Sequence, residues 1–256
     1  MVLLSKLAGI AAATLCFTYG SPSRAQEYPP PIQALQTEGL RIVAELPSVS
    51  GLKGYAGYIG QQPYALYLTP DGKHVLVGSV FDAEGKNLTL EPLKAAIAEP
   101  MSRETLAQLA ASHWILDGAE TAPRVIYVFT DPNCPYCQKF WKQARPWVKA
   151  GKVQLRHIMV GILSETSPAK AAAILAAADP AEALRKHEEG LPDKGVEPLA
   201  SIPPDEQAAL LEHQALMKQL GMQATPAIFY RDADGMLRSL IGAPTGAELE
   251  IILGPL

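Results

Sequence analysis

The segment RVIYVFT, residues 124–130, is a nearly unbroken apolar run, and no other stretch constrains the fold as strongly. A strand that is apolar at successive positions has to be buried on both faces, which places it at the centre of a sheet covered by helices. A polar turn, Asp131-Pro132-Asn133, follows, and Cys134-Pro135-Tyr136-Cys137 then opens a stretch in which Phe140, Trp141, Ala144 and Val148 recur at helical spacing. This predicts a helix over 134–149, kinked at Pro146 and ended by Gly151. VQLRHIMV, 153–160, reads as the next strand. Alternating strand and helix favours an α/β layer for this half of the chain.

The preceding half reads differently. LRIVAEL, GLKGYAGYIG, PYALYLT and HVLVGSVF, within residues 39–90, are rich in β-formers and broken by Gly and Pro, the pattern of an antiparallel sheet. Thr69-Pro70-Asp71-Gly72 has the residue order of a tight hairpin turn. Ser102 is placed to cap a connecting helix, with Leu106, Leu109, Ala110 and Trp114 on one face and Gly118 as its stop. The loop 117–123 puts a boundary near residue 120. Beyond the second strand, about 165–221 reads as a helical insertion, with Ser167-Pro168 opening one helix and Asp179-Pro180-Ala181-Glu182 resembling a capping box. A third helix, about 205–220, is capped by Gly221; PAIFY and MLRSLIG return to strand, and a last helix starts near Thr245.

The start of the chain predicts export. Lys6, an uncharged apolar run from Leu7 to Phe17, and small residues at Ser23 and Ala25 fit a secretory signal peptide, residues 1–25, and the run is too short to span a bilayer. Cleavage removes Cys16 and two of the 22 basic residues but none of the 26 acidic ones, leaving a net charge of −6. A mildly acidic chain does not suit nucleic acid or anionic lipid, and no stable membrane insertion is expected.

Only Cys134 and Cys137 then remain, in a compartment where disulfides persist. Three uses are open. As a structural staple the bridge closes so short a loop that it contributes roughly 2 kcal/mol at most. As a metal site it lacks ligands: there is no second C-x2-C, and His113, His157, His187 and His213 are dispersed. As a redox pair it is well placed, because unpaired N–H groups and the helix dipole at the start of a helix favour a thiolate at Cys134. Cys137, one turn on, is near enough to resolve a mixed disulfide, and Pro135 fits a first turn.

FTDPNCPYCQKFWKQARPWVKAGKVQLRHIMVG, YLTPDGKHVLVG, SHWILDG and ATPAIFY together resemble the periplasmic DsbC/DsbG branch of the thioredoxin superfamily over essentially the whole mature chain. Pro135 separates the motif from the Cys-Gly-Tyr-Cys of the isomerase arm of that branch. The resemblance implies an α+β chain: an N-terminal cystatin-like dimerisation domain (26–100), a linker helix and loop (101–120), and a C-terminal thioredoxin fold with a helical insertion (121–256). It implies a homodimer in the periplasm, kept reduced by the membrane protein DsbD, with no cofactor beyond the Cys134–Cys137 pair. Cys134 is implied to be the exposed nucleophile and Cys137 the resolving cysteine, with Pro135, Tyr136, Thr225 and Pro226 facing substrate. Sequence alone favours a trans Thr225–Pro226 bond; the resemblance implies cis. The implied reactions are reduction of sulfenic acids on single cysteines of exported proteins and isomerisation of wrong disulfides. A chaperone-like binding module that does not use the thiols, and a net disulfide oxidase, are the alternatives.

Overall fold

In the computed structural model, which describes residues 28–192 and 194–256, the strands form two separate sheets. The expected leader, residues 1–25, lies outside the described residues. The first sheet is antiparallel in the order β1-β2-β3-β4, from β1 (Arg41–Val49), β2 (Leu52–Ile59), β3 (Gln62–Leu68) and β4 (Val75–Val77), with α1 (Pro30–Thr37) ahead of it. Gly72, at φ 70°, completes the Thr69–Gly72 turn by donating to the Thr69 carbonyl at 2.8 Å. Only glycine adopts that φ without steric cost.

The connecting helix is longer than its sequence suggests. α2 runs Leu90–Ala111, so it begins twelve residues before Ser102 and carries Pro100 inside it. Its start is set by Asn87, whose side-chain carbonyl accepts the amides of Thr89 (2.9 Å) and Leu90 (3.0 Å). Thr89 is itself buried, bonded to Tyr67 Oη at 2.6 Å. An interior proline costs a helix about 3 kcal/mol in isolation, which is why Glu99-Pro100 reads as a break. Burial of Ile97 against Leu46, Ala56, Tyr58 and Tyr67 of the sheet offsets it. The helix also ends early, at Ala111: Ile115–Asp117 (β5) is drawn off to pair with the second sheet.

That second sheet has the order β5-β7-β6-β8-β9. β6 (Arg124–Thr130) is central, parallel to β7 (Val153–Met159) and antiparallel to β8 (Ala227–Arg231), while β9 (Leu237–Ile241) forms an edge. Its side chains alternate between two cores. Ile126 and Val128 pack with Phe140, Ala144 and Trp147 of α3 (Pro135–Lys149) and with Ile252 and Leu253 of α7 (Ala247–Leu253). Tyr127 and Phe129 pack with Leu109 of α2 and with Met217 of α6 (Pro204–Gln219). Two buried faces account for the unbroken apolar run. α3 continues through Pro146. The helical insertion consists of α4 (Ser167–Leu175), α5 (Pro180–Gly190) and α6, with a core of Met159, Ala171, Ile174, Leu184 and Leu210. Asp179 caps α5 by accepting the Glu182 amide at 2.9 Å, as its sequence predicts. Among the described residues no helix is long and apolar enough to cross a membrane.

Phe140 is fully buried beneath the N-terminal half of α3. Phe140→Ala is expected to lower stability by about 3–5 kcal/mol in urea unfolding, through lost burial and the cavity left behind.

Candidate active site

The turn between β6 and α3 is built around Asp131. Its buried carboxylate accepts the amides of Asn133 (2.8 Å), Ile162 (2.7 Å) and Leu163 (3.0 Å) and the hydroxyl of Ser167 (2.8 Å), while its carbonyl takes the Cys134 amide at 3.0 Å. One side chain therefore ties the cysteine turn to the loop after β7 and to the start of α4. Gly161 in that loop passes so close to α4 that a Cβ there would lie 2.5 Å from Pro168 Cα.

The helical insertion braces the same turn from the other side. Asn133 Nδ2 lies 2.8 Å from Ser164 Oγ and 3.0 Å from Thr166 Oγ1, and Lys170 Nζ donates to Asn133 Oδ1 at 2.9 Å. His187 Nδ1 accepts the Val196 amide at 2.9 Å, which makes Nε2 the protonated nitrogen, donating to the Pro132 carbonyl at 2.7 Å. Burial holds His187 below its ordinary value and so neutral. Gln138 Nε2 donates to the carbonyls of Glu188 and Leu191, both at 2.9 Å.

Cys134 is the N-cap of α3, and its sulfur accepts the Cys137 amide at 3.2 Å. As a thiol it donates to the Thr225 carbonyl at 3.3 Å. The Thr225–Pro226 bond is cis. The Cys134 thiol is lowered from 9.0 to about 6, chiefly by hydrogen bonding from the Cys137 thiol, against the opposing effect of burial and with help from Thr225 and the amides of Cys137 and Tyr136. That fall favours the ionised form by about 4 kcal/mol, so hydrogen bonding outweighs desolvation here. At Cys137 the balance reverses: burial first, then the neighbouring Cys134, push its thiol well above the ordinary value.

The six residues singled out in the sequence therefore lie at one place. Pro135 opens α3, Tyr136 is 60% exposed beside the pair, and Thr225 and Pro226 form the opposite wall. Cys134 departs from the exposed side chain that the resemblance implied: it is only 2% exposed, because the Thr225 backbone covers its sulfur. Sequence reading missed Asp131, Asn133 and His187, whose partners are distant in the chain, and Glu188, whose Oε2 is buried without a partner; the Asp-Pro-Asn turn is the one local signal, for the first two. The histidines stay apart in function, with His157 bonded to Thr130 (2.8 Å) and His213 to the Met159 carbonyl (2.7 Å). Among the described residues no group of three His, Cys, Asp or Glu side chains could hold a metal.

Comparison with known proteins covers both halves. Residues 27–90 match the disulfide bond isomerase protein N-terminal domain, and residues 118–255 match a thioredoxin-like domain. The chain is 50% identical over 236 residues to the thiol:disulfide interchange protein DsbG of Pseudomonas aeruginosa, covering 92% of each. It is 40% identical over 230 residues to DsbG of Escherichia coli, covering 90% of this chain and 93% of that one. Among solved structures, Proteus mirabilis ScsC in a transitional conformation aligns with a TM-score of 0.50 and 25% identity, over 61% of this chain and 77% of that one.

Thiolate absorbance of the reduced protein is expected to titrate with a midpoint of about 6 at Cys134. Below that pH the neutral thiol dominates, and the thiolate fraction falls about tenfold per pH unit.

Proposed function

The chain belongs to the DsbG family of thiol:disulfide interchange proteins, which makes it a thioredoxin-fold oxidoreductase, and on that premise we propose that it works in the periplasm as a reduced dithiol on oxidised cysteines of exported proteins. The observation that carries this reading is the placing of the Cys134 sulfur, which caps α3 and accepts the Cys137 amide at 3.2 Å. Cys134 is ionised at neutral pH while Cys137 keeps its proton, so one sulfur attacks and the other waits.

On a sulfenic acid, the Cys134 thiolate attacks the substrate sulfur. The S–S bond forms as the S–O bond breaks, and hydroxide leaves and is protonated to water. Cys137 then loses its proton and attacks Cys134, the mixed disulfide breaks, and the substrate sulfur departs as a thiolate that takes up a proton. The pair is left as a disulfide, and two electrons from a membrane reductant of the DsbD type restore it. On a wrong disulfide, Cys134 attacks one sulfur and frees a substrate thiolate; once that thiolate has exchanged with another disulfide of the substrate, the thiolate so released attacks the mixed disulfide and Cys134 leaves, which returns the pair reduced. The cycle uses the cysteine pair alone, without a further cofactor.

Substrate reaches Cys134 along Thr225 and Pro226 on one side and Pro135 and Tyr136 on the other. Ile162 and Leu163, 41% and 48% exposed, add apolar surface at the mouth because Asp131 holds their amides. This surface also favours the second reading, a chaperone-like hold on unfolded chains. A homodimer through the N-terminal domain is supported by β4, an edge strand whose Leu76 and Val77 are 56% and 55% exposed.

Cys137→Ala is expected to accumulate mixed disulfides through Cys134 when expressed in the native compartment, and capture of single-cysteine partners would favour sulfenic acid reduction over isomerisation. No captured partners would sink the exchange reading. Cys134→Ala should abolish turnover; retained suppression of aggregation in that variant would identify a separate chaperone activity. A pair found mostly as the disulfide in cells would instead indicate a net oxidase.

A further inference from the structure

Glu188 is a buried acid beside the cysteine pair that the exchange cycle above does not use. It is 1% exposed, and its Oε2 has no hydrogen-bond partner. No lysine or arginine lies within ion-pair distance of it among the described residues. Cys134, Gln138, Trp141 and Arg145 follow one another at spacings of four, three and four, so they share one face of α3. Gln138 holds the carbonyls of Glu188 and Leu191, which lays the end of α5 across that face one turn from Cys134. The Trp141 indole N–H on the same face is also buried without a partner.

A buried carboxylate without donors or a cation is costly, so the neutral acid is favoured. Burial, then the charge on Cys134, push Glu188 up to about 8. The other groups that face it partly cancel: from α3, Lys142 and Arg145 favour ionisation, and from β5, Asp117 opposes it while itself being paired with Arg145. On its own helix, His187 is held neutral and Glu189 is paired with Arg185 at the surface. Only the charge on Cys134 changes during the redox cycle.

We propose that Glu188 is a proton store coupled to the cysteine pair: its carboxyl is protonated when the pair is reduced and releases that proton when Cys134 and Cys137 join. This rests on the exchange chemistry proposed above. The reduced site holds the Cys134 thiolate, the Cys137 thiol and the Glu188 carboxylic acid. Loss of two electrons to the oxidised sulfur of a substrate forms the Cys134–Cys137 bond and removes the negative charge from Cys134. The Cys137 proton leaves, and Glu188, relieved of its charged neighbour, ionises and gives up a second proton. Two protons thus accompany two electrons even though Cys134 begins without one. Glu188 touches no reacting atom; it acts through the charge on Cys134 and makes the dithiol easier to keep reduced as the pH falls.

The test is infrared difference spectroscopy of the whole protein, dithiol minus disulfide, just below pH 8. Oxidation should remove a protonated-carboxyl band and add a carboxylate band, and Glu188→Gln should abolish both changes. No carboxyl change in the wild type, or the same change in Glu188→Gln, would overturn the inference. Should that variant not fold, the wild type alone decides. Just below about 8 its dithiol–disulfide equilibrium at an electrode should change by clearly more than tenfold per pH unit, where release from Cys137 alone gives about tenfold and would refute the coupling. A pair that does not oxidise, or a Cys134 that titrates as an ordinary thiol, would instead remove the exchange reading beneath it.

Discussion

The buried carboxylate of Asp131 is the point on which the site depends. Four hydrogen bonds converge on its two oxygens, from its own turn, from the loop after β7 and from α4. Its carbonyl holds the Cys134 amide, which sets the first turn of α3. Removing the carboxylate would leave four buried or half-buried donors without their acceptor, each at about 1–3 kcal/mol. The helical insertion is therefore part of the site's scaffold: through Ser167, Asn133, His187 and Gln138 it grips the cysteine turn at four places.

Within that frame, two sulfurs three residues apart acquire opposite properties. Cys134 sits where N–H groups and a neighbouring thiol point at it, whereas Cys137 sits one turn into the helix, with protein around it and a charge beside it. The same competition between desolvation and hydrogen bonding decides both, with opposite winners. It extends to Glu188, where burial wins again over the opposing pull of Lys142 and Arg145. Chemistry at this site is thus set by how many donors each buried acid group meets. The near-complete covering of Cys134 by the Thr225 backbone works against ionisation, and the donors at the start of α3 outweigh it.

Local pattern carried some of this structure and not the rest. The central strand was legible because burial on both faces leaves every residue from Val125 to Phe129 apolar, and the Asp179 cap was legible because its partner is three residues away. The start of α2 was not: Pro100 looks like a break, and packing of Ile97 against Leu46, Ala56, Tyr58 and Tyr67 of a sheet that lies earlier in the chain keeps the helix whole. The bracing of the site was equally hidden, since Ser167 and His187 reach Asp131 and Pro132 from 36 and 55 residues away. The approach of Thr225 to Cys134 spans 91 residues and came only from family resemblance.

The central claim is that Cys134 alone is the ready nucleophile. It is tested most directly by alkylating the native, reduced protein with iodoacetamide over a range of pH and locating the label by mass spectrometry. The account predicts modification at Cys134, with a rate that rises through a midpoint of about 6, while Cys137 stays unlabelled until the protein unfolds. Labelling of Cys137 in the native state, or a Cys134 rate that rises only near the value of about 8.5 of a free thiol, would contradict it.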